Sequence, residues 1–371
     1  MSLELQEASN MARILLLGAG KIGSAIAHML SAEGFDLMVA DSDAAALSYI
    51  RHPRIETRVA DLFDDSALAD LAHGQEAVLS ACPFHLTPRI AAAAKSGGAH
   101  YFDLTEDVES TRAVKLLALG AKTAFVPQCG LAPGFISIVA ADLAKRFESV
   151  RSVRMRVGAL PLYPSNALKY NLTWSTDGLI NEYCNPCEAI HDGKLIEVLP
   201  LEEVEAFSLD GIEYEAFNTS GGLGTLCETL AGRVETLNYK TVRYPGHRDI
   251  AKLLVQDLRL SHRRDILKDV LENAIPITTQ DVVLVFVTVS GMREGRLTQE
   301  TYARKVYSRE IGGRLMSAIQ ITTAAGICAM LDLMLAGALP DCGFVRQEQA
   351  SLDQFLANRF GRLYVGDSLS A

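Results

Sequence analysis

Through the first third of the chain, short apolar runs of strand length alternate with segments whose apolar residues recur at helical spacing. ARILLL (12–17) leads into GAGKIG and then SAIAHMLSAEG, an apolar-faced helix closed by a glycine. FDLMVAD, RIETRVAD, EAVLSAC, HYFDLT and TAFVPQCG read as further strands. DDSALADLAHG, PFHLTPRIAAAAKSGG and VESTRAVKLLALGAK read as the helices between them. Strands alternating with helices predict an α/β fold, a doubly wound parallel sheet of Rossmann type. Such sheets bind ligands at the carboxyl ends of their strands.

After GLAPGF (130–135) the pattern changes. A helix, ISIVAADLAKRF, precedes long strands: VRSVRMRVGAL, NALKYNLTWS, GIEYEAFN and DVVLVFVTVSG. LDG and HDG are hairpin-like turns, and EAIHDGKLIEVLPL reads as a hairpin. Helices intervene at TLCETLAG and RDIAKLLVQDL. This half reads as a mostly antiparallel sheet with helices on one face, an α+β domain. MSAIQITTAAGICAMLDLMLAG is a long helix with few charges, which requires burial between elements or subunits. SLDQFLANRF is a shorter helix.

Charge and cysteine content narrow the function. A formal net charge of −10 argues against a nucleic-acid or anionic-membrane surface. No apolar run approaches the ~20 residues of a membrane span, and the polar, acidic start MSLELQEASN lacks the pattern of a secretory leader. Seven scattered cysteines suit reduced thiols and a cytoplasmic setting. Cys184 and Cys187 form a CxxC, but no second pair of soft ligands lies nearby at zinc spacing, so no metal site is expected.

Gly18, Gly20 and Gly23 match GxGxxG between a strand and a helix, with Lys21 and Ile22 opening that helix. The first glycine makes the turn, the second lets a pyrophosphate approach the backbone, and the third lets helix and strand pack closely. The helix N-terminus directs free N–H groups and its positive end at the phosphates. Asp41 ends the next strand about 20 residues on, where a carboxylate accepts hydrogen bonds from ribose hydroxyls and repels a 2′-phosphate. Ser42 and Asp43 offer no arginine for that phosphate, so NAD is expected rather than NADP; the plainer reading of Asp41 is a helix cap. Pro83, Phe84, His85, Asp103, Thr105 and Glu106 fall at strand ends, facing the nicotinamide half of the cofactor.

Several segments, in order, resemble the saccharopine dehydrogenase family, in particular its lysine 6-dehydrogenase branch. They are GAGKIG, PFH (83–85), GLAPG (130–134), GALPLYPSNALKYNLTWS (158–175), LINEYCNPCEAIHDGKLIEVLPLEEVE, EAFNTSGGLGTLCETL, YKTVRYPGH and SAIQITTAAGICAMLDLMLAG. The resemblance implies a dinucleotide domain (12–129), an inserted α+β domain for substrate binding and dimer contacts (130–316), and C-terminal helices that return to the first domain (317–371). It also implies hydride transfer between NAD(P) and the C–N bond of an amine such as lysine, saccharopine or a carboxylated polyamine. Saccharopine reductases carry an acid where this chain has Ala132 and tend to carry a cysteine where it has Val157. Both departures favour the lysine 6-dehydrogenase branch. Relatives usually place a lysine before the TWS segment, where this chain has Asn171, with Lys169 two residues earlier.

On that reading the expected reaction is NAD-dependent deamination of the lysine ε-amine to allysine or its cyclic form, 1-piperideine-6-carboxylate. The rivals are a saccharopine or carboxynorspermidine dehydrogenase and a non-catalytic NAD-binding protein. KTVRYPGHRD (240–249) then delivers Arg243 as a carboxylate clamp, since a guanidinium pairs with a carboxylate in two-pronged fashion. Tyr244 and His247 flank it around a Pro-Gly turn, while Tyr170, Thr173 and Trp174 line the aliphatic chain. Asp103 or Glu106 binds the α-ammonium or holds a water. His247 or a partly buried carboxylate is the expected base. The plainer alternatives are a salt-bridged β-turn at Arg243, a solvent-facing His247, a core Trp174 and a helix-capping His85. A homodimer is expected.

Overall fold

The computed structural model describes residues 13–365. The acidic stretch at the start of the chain and the outermost ends of the expected domains lie outside the described residues. The first sheet is built from β1 (Arg13–Leu17), β2 (Asp36–Asp41), β3 (Ile55–Val59), β4 (Ala77–Ser80), β5 (His100–Asp103) and β6 (Ala124–Val126). Helices α1 (Lys21–Ala32), α2 (Ala44–Ser48), α3 (Asp65–Ala72), α4 (Thr87–Gly97) and α5 (Val108–Leu117) alternate with them. The strand order is β3-β2-β1-β4-β5-β6, all parallel, which leaves a crevice where β1 and β4 diverge to opposite sides. Asp43, Asp64 and Asp107 cap the N-termini of α2, α3 and α5 through their side chains.

The second half supplies α6 (Phe135–Ala144), β7 (Ser149–Pro161), α7 (Thr176–Cys184), β8 (Cys187–His191), β9 (Lys194–Val198), β10 (Glu205–Leu209) and β11 (Ile212–Asn218). It continues with α8 (Leu226–Thr229), β12 (Val234–Arg243), α9 (His247–Lys252), α10 (Arg264–Ala274), β13 (Asp281–Arg293) and β14 (Arg296–Tyr307). The sheet runs β10-β11-β12-β7-β13-β14, with the β8–β9 hairpin attached to β12. It is antiparallel except for the β12–β7 pair. A small hairpin, β15 (Arg309–Ile311) and β16 (Arg314–Met316), leads back to the first domain.

The apolar C-terminal helix is α11 (Ala318–Leu335), and 78% of it is buried inside the fold, so its hydropathy is that of a core element. Its residues share one core with α1, with α6 and with the inner face of the second sheet, where Val153, Met155, Val283 and Val285 project. Asp281, at the start of β13, accepts from the N–H groups of Ala318 (2.5 Å) and Ile319 (3.1 Å), joining the inserted sheet to this helix. The return also adds a strand that the hydrophobic pattern did not predict: β17 (Gly343–Phe344) pairs in parallel with β6. The last α-helix is α12 (Leu352–Ala357).

One expected strand is absent. NALKYNLTWS forms an irregular segment between β7 and α7, although its residues alternate with period two. Lys169 takes a positive φ of 52°. Asn166 Nδ2 donates to the Tyr170 carbonyl (2.7 Å), and Asn171 Nδ2 donates to the Pro276 carbonyl (3.0 Å). Side-chain amides thus satisfy backbone groups that a ladder would otherwise use.

Candidate active site

The glycine turn is held by geometry that only glycine provides. Gly18 has φ +99°, and a Cβ on Gly23 would lie 1.9 Å from the Gly18 carbonyl oxygen, so the third glycine is what lets α1 press against the turn. Around Gly20 a Cβ would meet nothing within 4 Å, so the backbone is open on the side a diphosphate approaches. Gly20 caps α1 without any side-chain acceptor, leaving the first N–H groups of a 12-residue helix for an anion. Asp41 Oδ2 accepts from Ala19 N (2.6 Å) and Oδ1 from Asp43 N (2.8 Å). The carboxylate therefore pins the turn to the end of β2, the strand end beside which dinucleotides bind in sheets of this type. These residues fit a bound nicotinamide dinucleotide.

Beyond that turn a cavity of about 180 Å³ lies between the carboxyl ends of the first sheet and the inserted domain. Its lining includes apolar Ile22, Pro83, Phe84 and Ala132, and it also includes Glu106, Trp174, Glu182 and Arg243. His85 is not on the cavity; it is exposed and stacks on Phe63 at 5.7 Å. Lys21 is an exposed first residue of α1.

Arg243, the last residue of β12, is 2% exposed. Its guanidinium lies 4.9 Å from the Tyr170 ring centre. Nε donates to the Tyr183 hydroxyl (3.0 Å), and Nη1 donates to the Val242 carbonyl (2.9 Å). Nη2 approaches Glu182 Oε2 at 3.9 Å, too far for a hydrogen bond. Burial works against its charge, but Tyr183, Tyr170 and Glu182 outweigh that and hold its pKa above the usual value. The cation therefore persists with donors left for a carboxylate.

Sequence reasoning missed Glu182. It is 7% exposed, and its Oε2 has no hydrogen-bond partner. Burial, helped by Glu106 and opposed by Arg243, pushes its pKa up to about 8. Glu106 is pushed up to about 7, chiefly by burial, with Asp107, Asp103 and Asp177 adding to it. Asp177 also faces the cavity, but it is paired with Lys268 at 2.7 Å. Trp174, Gly178 and Glu182 recur at four-residue spacing on and before α7, so extending the helical face from Trp174 is the signal that leads to Glu182.

Several expected site residues lie elsewhere. His247, read as a base, is 1% exposed and does not reach the cavity. Its Nδ1–H donates to the Leu168 carbonyl (2.8 Å), which leaves Nε2 to accept from the Tyr183 hydroxyl (2.8 Å). Burial and the Arg243 charge pull its pKa down to about 3, so it stays neutral and positions Tyr183. Asp103, the other proton-transfer candidate, is 1% exposed and accepts from the backbone N–H groups of Thr105 (3.0 Å) and Gln128 (2.9 Å). Burial raises it to about 6, and its work is to shape the loops after β5 and β6. Tyr244 turns away and donates to the Pro161 carbonyl (2.9 Å). Tyr170 lies behind the cavity, accepting from Trp174 Nε1 (3.1 Å), and Thr173 is buried without facing the cavity.

A parallel sheet with a glycine turn, joined to an inserted domain that closes a charged cavity over its strand ends, defines a dinucleotide-dependent oxidoreductase. Residues 14–124 match the family model described as the saccharopine dehydrogenase NADP binding domain, and residues 130–363 match the saccharopine dehydrogenase C-terminal domain. The chain belongs to the saccharopine dehydrogenase family. Its fold is similar to apo saccharopine dehydrogenase (L-Glu forming) from Saccharomyces cerevisiae, at TM-score 0.75 and 17% identity over 94% of this chain and 98% of that one. An engineered D-amino acid dehydrogenase bound to NADP+ matches at TM-score 0.48 and 12% identity, over 96% of this chain and 100% of the other.

Proposed function

We propose that this protein is an NAD-dependent dehydrogenase of the lysine ε-amine, yielding allysine and its cyclic form. The observation that carries this reading is the charge pattern of the cavity. Once Asp177 is set against Lys268, the wall presents two carboxylates, Glu106 and Glu182, and one guanidinium, Arg243. Lysine is the mirror of that set, with two ammonium groups and one carboxylate. Saccharopine has three carboxylates and two amines, and one arginine leaves two of those carboxylates without a cation.

In this arrangement Arg243 clamps the substrate carboxylate through Nη1 and Nη2. Glu182, next to it, receives the α-ammonium, whose positive charge draws off the proton that burial holds on the free carboxyl up to about 8. Trp174 walls the aliphatic chain. The ε-amine then reaches Glu106, on the loop after β5. Bound NAD supplies a hydride acceptor at its nicotinamide ring. Glu106 takes a proton from the ε-ammonium, because a positively charged nitrogen cannot push electrons toward the departing hydride. Its raised pKa narrows the gap to an ammonium near 10 while keeping it ionised just above neutrality. Loss of the Cε hydride gives an iminium, water adds, and ammonium leaves. Asp41, with both oxygens at the end of β2 and no arginine nearby in sequence, favours the unphosphorylated dinucleotide. A homodimer formed through the inserted domain is part of the same reading, and light scattering tests it.

The test is the absorbance of the reduced dinucleotide with lysine, saccharopine and carboxynorspermidine, each with NAD and with NADP. Lysine with NAD is expected to give the highest kcat/KM. A higher value with saccharopine overturns the substrate assignment. Tight dinucleotide binding without turnover of any amine leaves the non-catalytic alternative.

A further inference from the structure

A second cavity, of about 260 Å³, lies behind the first and has no role in the chemistry above. Its carboxylates are Glu106, Asp107, Glu109, Glu182, Glu188 and Glu197. Among the described residues Arg112 is the only basic one lining it, and it is held by Glu109 and, at 3.6 Å, by Glu188. Glu106 and Glu182 line both cavities, so the two carboxylates assigned to the substrate also border this one.

Acidic side chains clustered on a surface are commonplace. Here a second observation sets the cluster apart. Glu182 lines this cavity as well as the first, it is 7% exposed, and its Oε2 accepts no hydrogen bond. An unpaired buried acceptor costs free energy, and a small cation with several N–H donors relieves it. The space is large enough for hydrated ammonium, and its walls concentrate cations, as fields do in clefts lined by one sign of charge.

We propose that this acidic cavity is a rear exit for ammonium, passed from the substrate cavity between Glu106 and Glu182 and out along Glu188 and Glu197. The inference rests on the deamination reading. The balance is that of the overall reaction: water forms a C–O bond to Cε of the iminium, the Cε–N bond breaks as the adduct collapses to the aldehyde, the nitrogen leaves as ammonium, and no further oxidant or reductant is needed. A rear path lets the small product leave while the carbon skeleton still occupies the front cavity.

The test pairs kinetics with a binding measurement that needs no turnover. Glu188 and Glu197 line the cavity near solvent and take no part in binding the amino acid, so the double variant E188Q/E197Q tests the path, with Arg112 still paired to Glu109. In the reductive direction its KM for ammonium is expected to rise roughly tenfold, with KM for the aldehyde and for NADH unchanged. Crystals soaked in thallium(I), a cation of ammonium's size, are expected to show anomalous density in the cavity that ammonium displaces and that the double variant weakens. An unchanged ammonium KM in an otherwise active variant overturns the exit and leaves the deamination reading standing. Thallium density displaced by ammonium in a protein that turns over no diamino acid overturns the deamination reading and retains a cation site. No thallium density overturns the site itself.

Discussion

Arg243 and His247 never touch, yet one atom joins them: the Tyr183 hydroxyl accepts from Arg243 Nε at 3.0 Å and donates to His247 Nε2 at 2.8 Å. The chain ends at the Leu168 carbonyl, which fixes the proton on His247 Nδ1 and hence the direction of every bond in it. Tyr183→Phe breaks both links and leaves a buried guanidinium N–H and a ring nitrogen unpaired. It is expected to cost about 1–3 kcal/mol of stability per orphaned group. It is also expected to raise KM for the amino acid by roughly tenfold, with the dissociation constant for NAD unchanged by calorimetry. Equal losses in both ligands would show that the chain supports the fold rather than the clamp.

On the proposed mechanism Glu106 governs the pH–rate profile. Its ionised form is the active one, so kcat/KM for lysine is expected to rise with pH through about 7. Glu106→Gln removes that inflection and lowers kcat by roughly 10²–10⁴-fold, the usual worth of a positioned base. A Glu106→Gln enzyme that still showed an inflection, moved upward toward about 8, would place the base at Glu182 instead.

Stability follows pH with opposing signs from two buried groups. Glu182 binds its proton more tightly folded, at about 8, than in an unfolded chain near 4. Its contribution is fully present below the unfolded value and is lost as pH rises toward 8. His247 behaves in reverse. Its folded value of about 3 lies below the unfolded one, so stability is lost as pH falls from about 6.5 toward 3. Thermal melts should show Glu182→Gln flattening the decline between pH 5 and 8, by on the order of a few kcal/mol. His247→Gln should flatten the acid limb instead. A Glu182→Gln melt that still declines across pH 5–8 as steeply as the parent assigns that slope to Glu106, Asp103 and Asp281, which burial also raises.

What was legible in the sequence was what is local. The glycine turn, Asp41 and the alternation of strand and helix depend on neighbours within a few tens of residues, and the parallel sheet follows from them. Arg243 was legible as a strand-end cation. Glu182 was not, because the helix it sits on reads as ordinary and only packing against the loop after β5 strips its carboxylate of water. His247 was misread for a related reason: a histidine after a Pro-Gly turn suggests a surface tip, whereas α9 folds it under Tyr183 and Tyr170. The alternation in NALKYNLTWS promised a strand, and the side-chain amides of Asn166 and Asn171 gave the backbone other partners.

Asp41 tests the choice of dinucleotide. Its two oxygens each accept one backbone N–H, from Ala19 and Asp43, so the carboxylate is fixed in place before any ligand arrives. A 2′-phosphate placed there meets a negative charge at close range. Asp41→Asn keeps one acceptor for Ala19 while removing the charge, and it is expected to lower kcat/KM with NAD modestly while raising it with NADP. Asp41→Ser with Ser42→Arg adds a phosphate partner and should reverse the preference, since an arginine meets a phosphate in two-pronged fashion. The measurement is the ratio of kcat/KM for the two dinucleotides at saturating lysine. If Asp41→Asn leaves that ratio where it was, the carboxylate only anchors the glycine turn, and discrimination must come from groups beyond the end of β2.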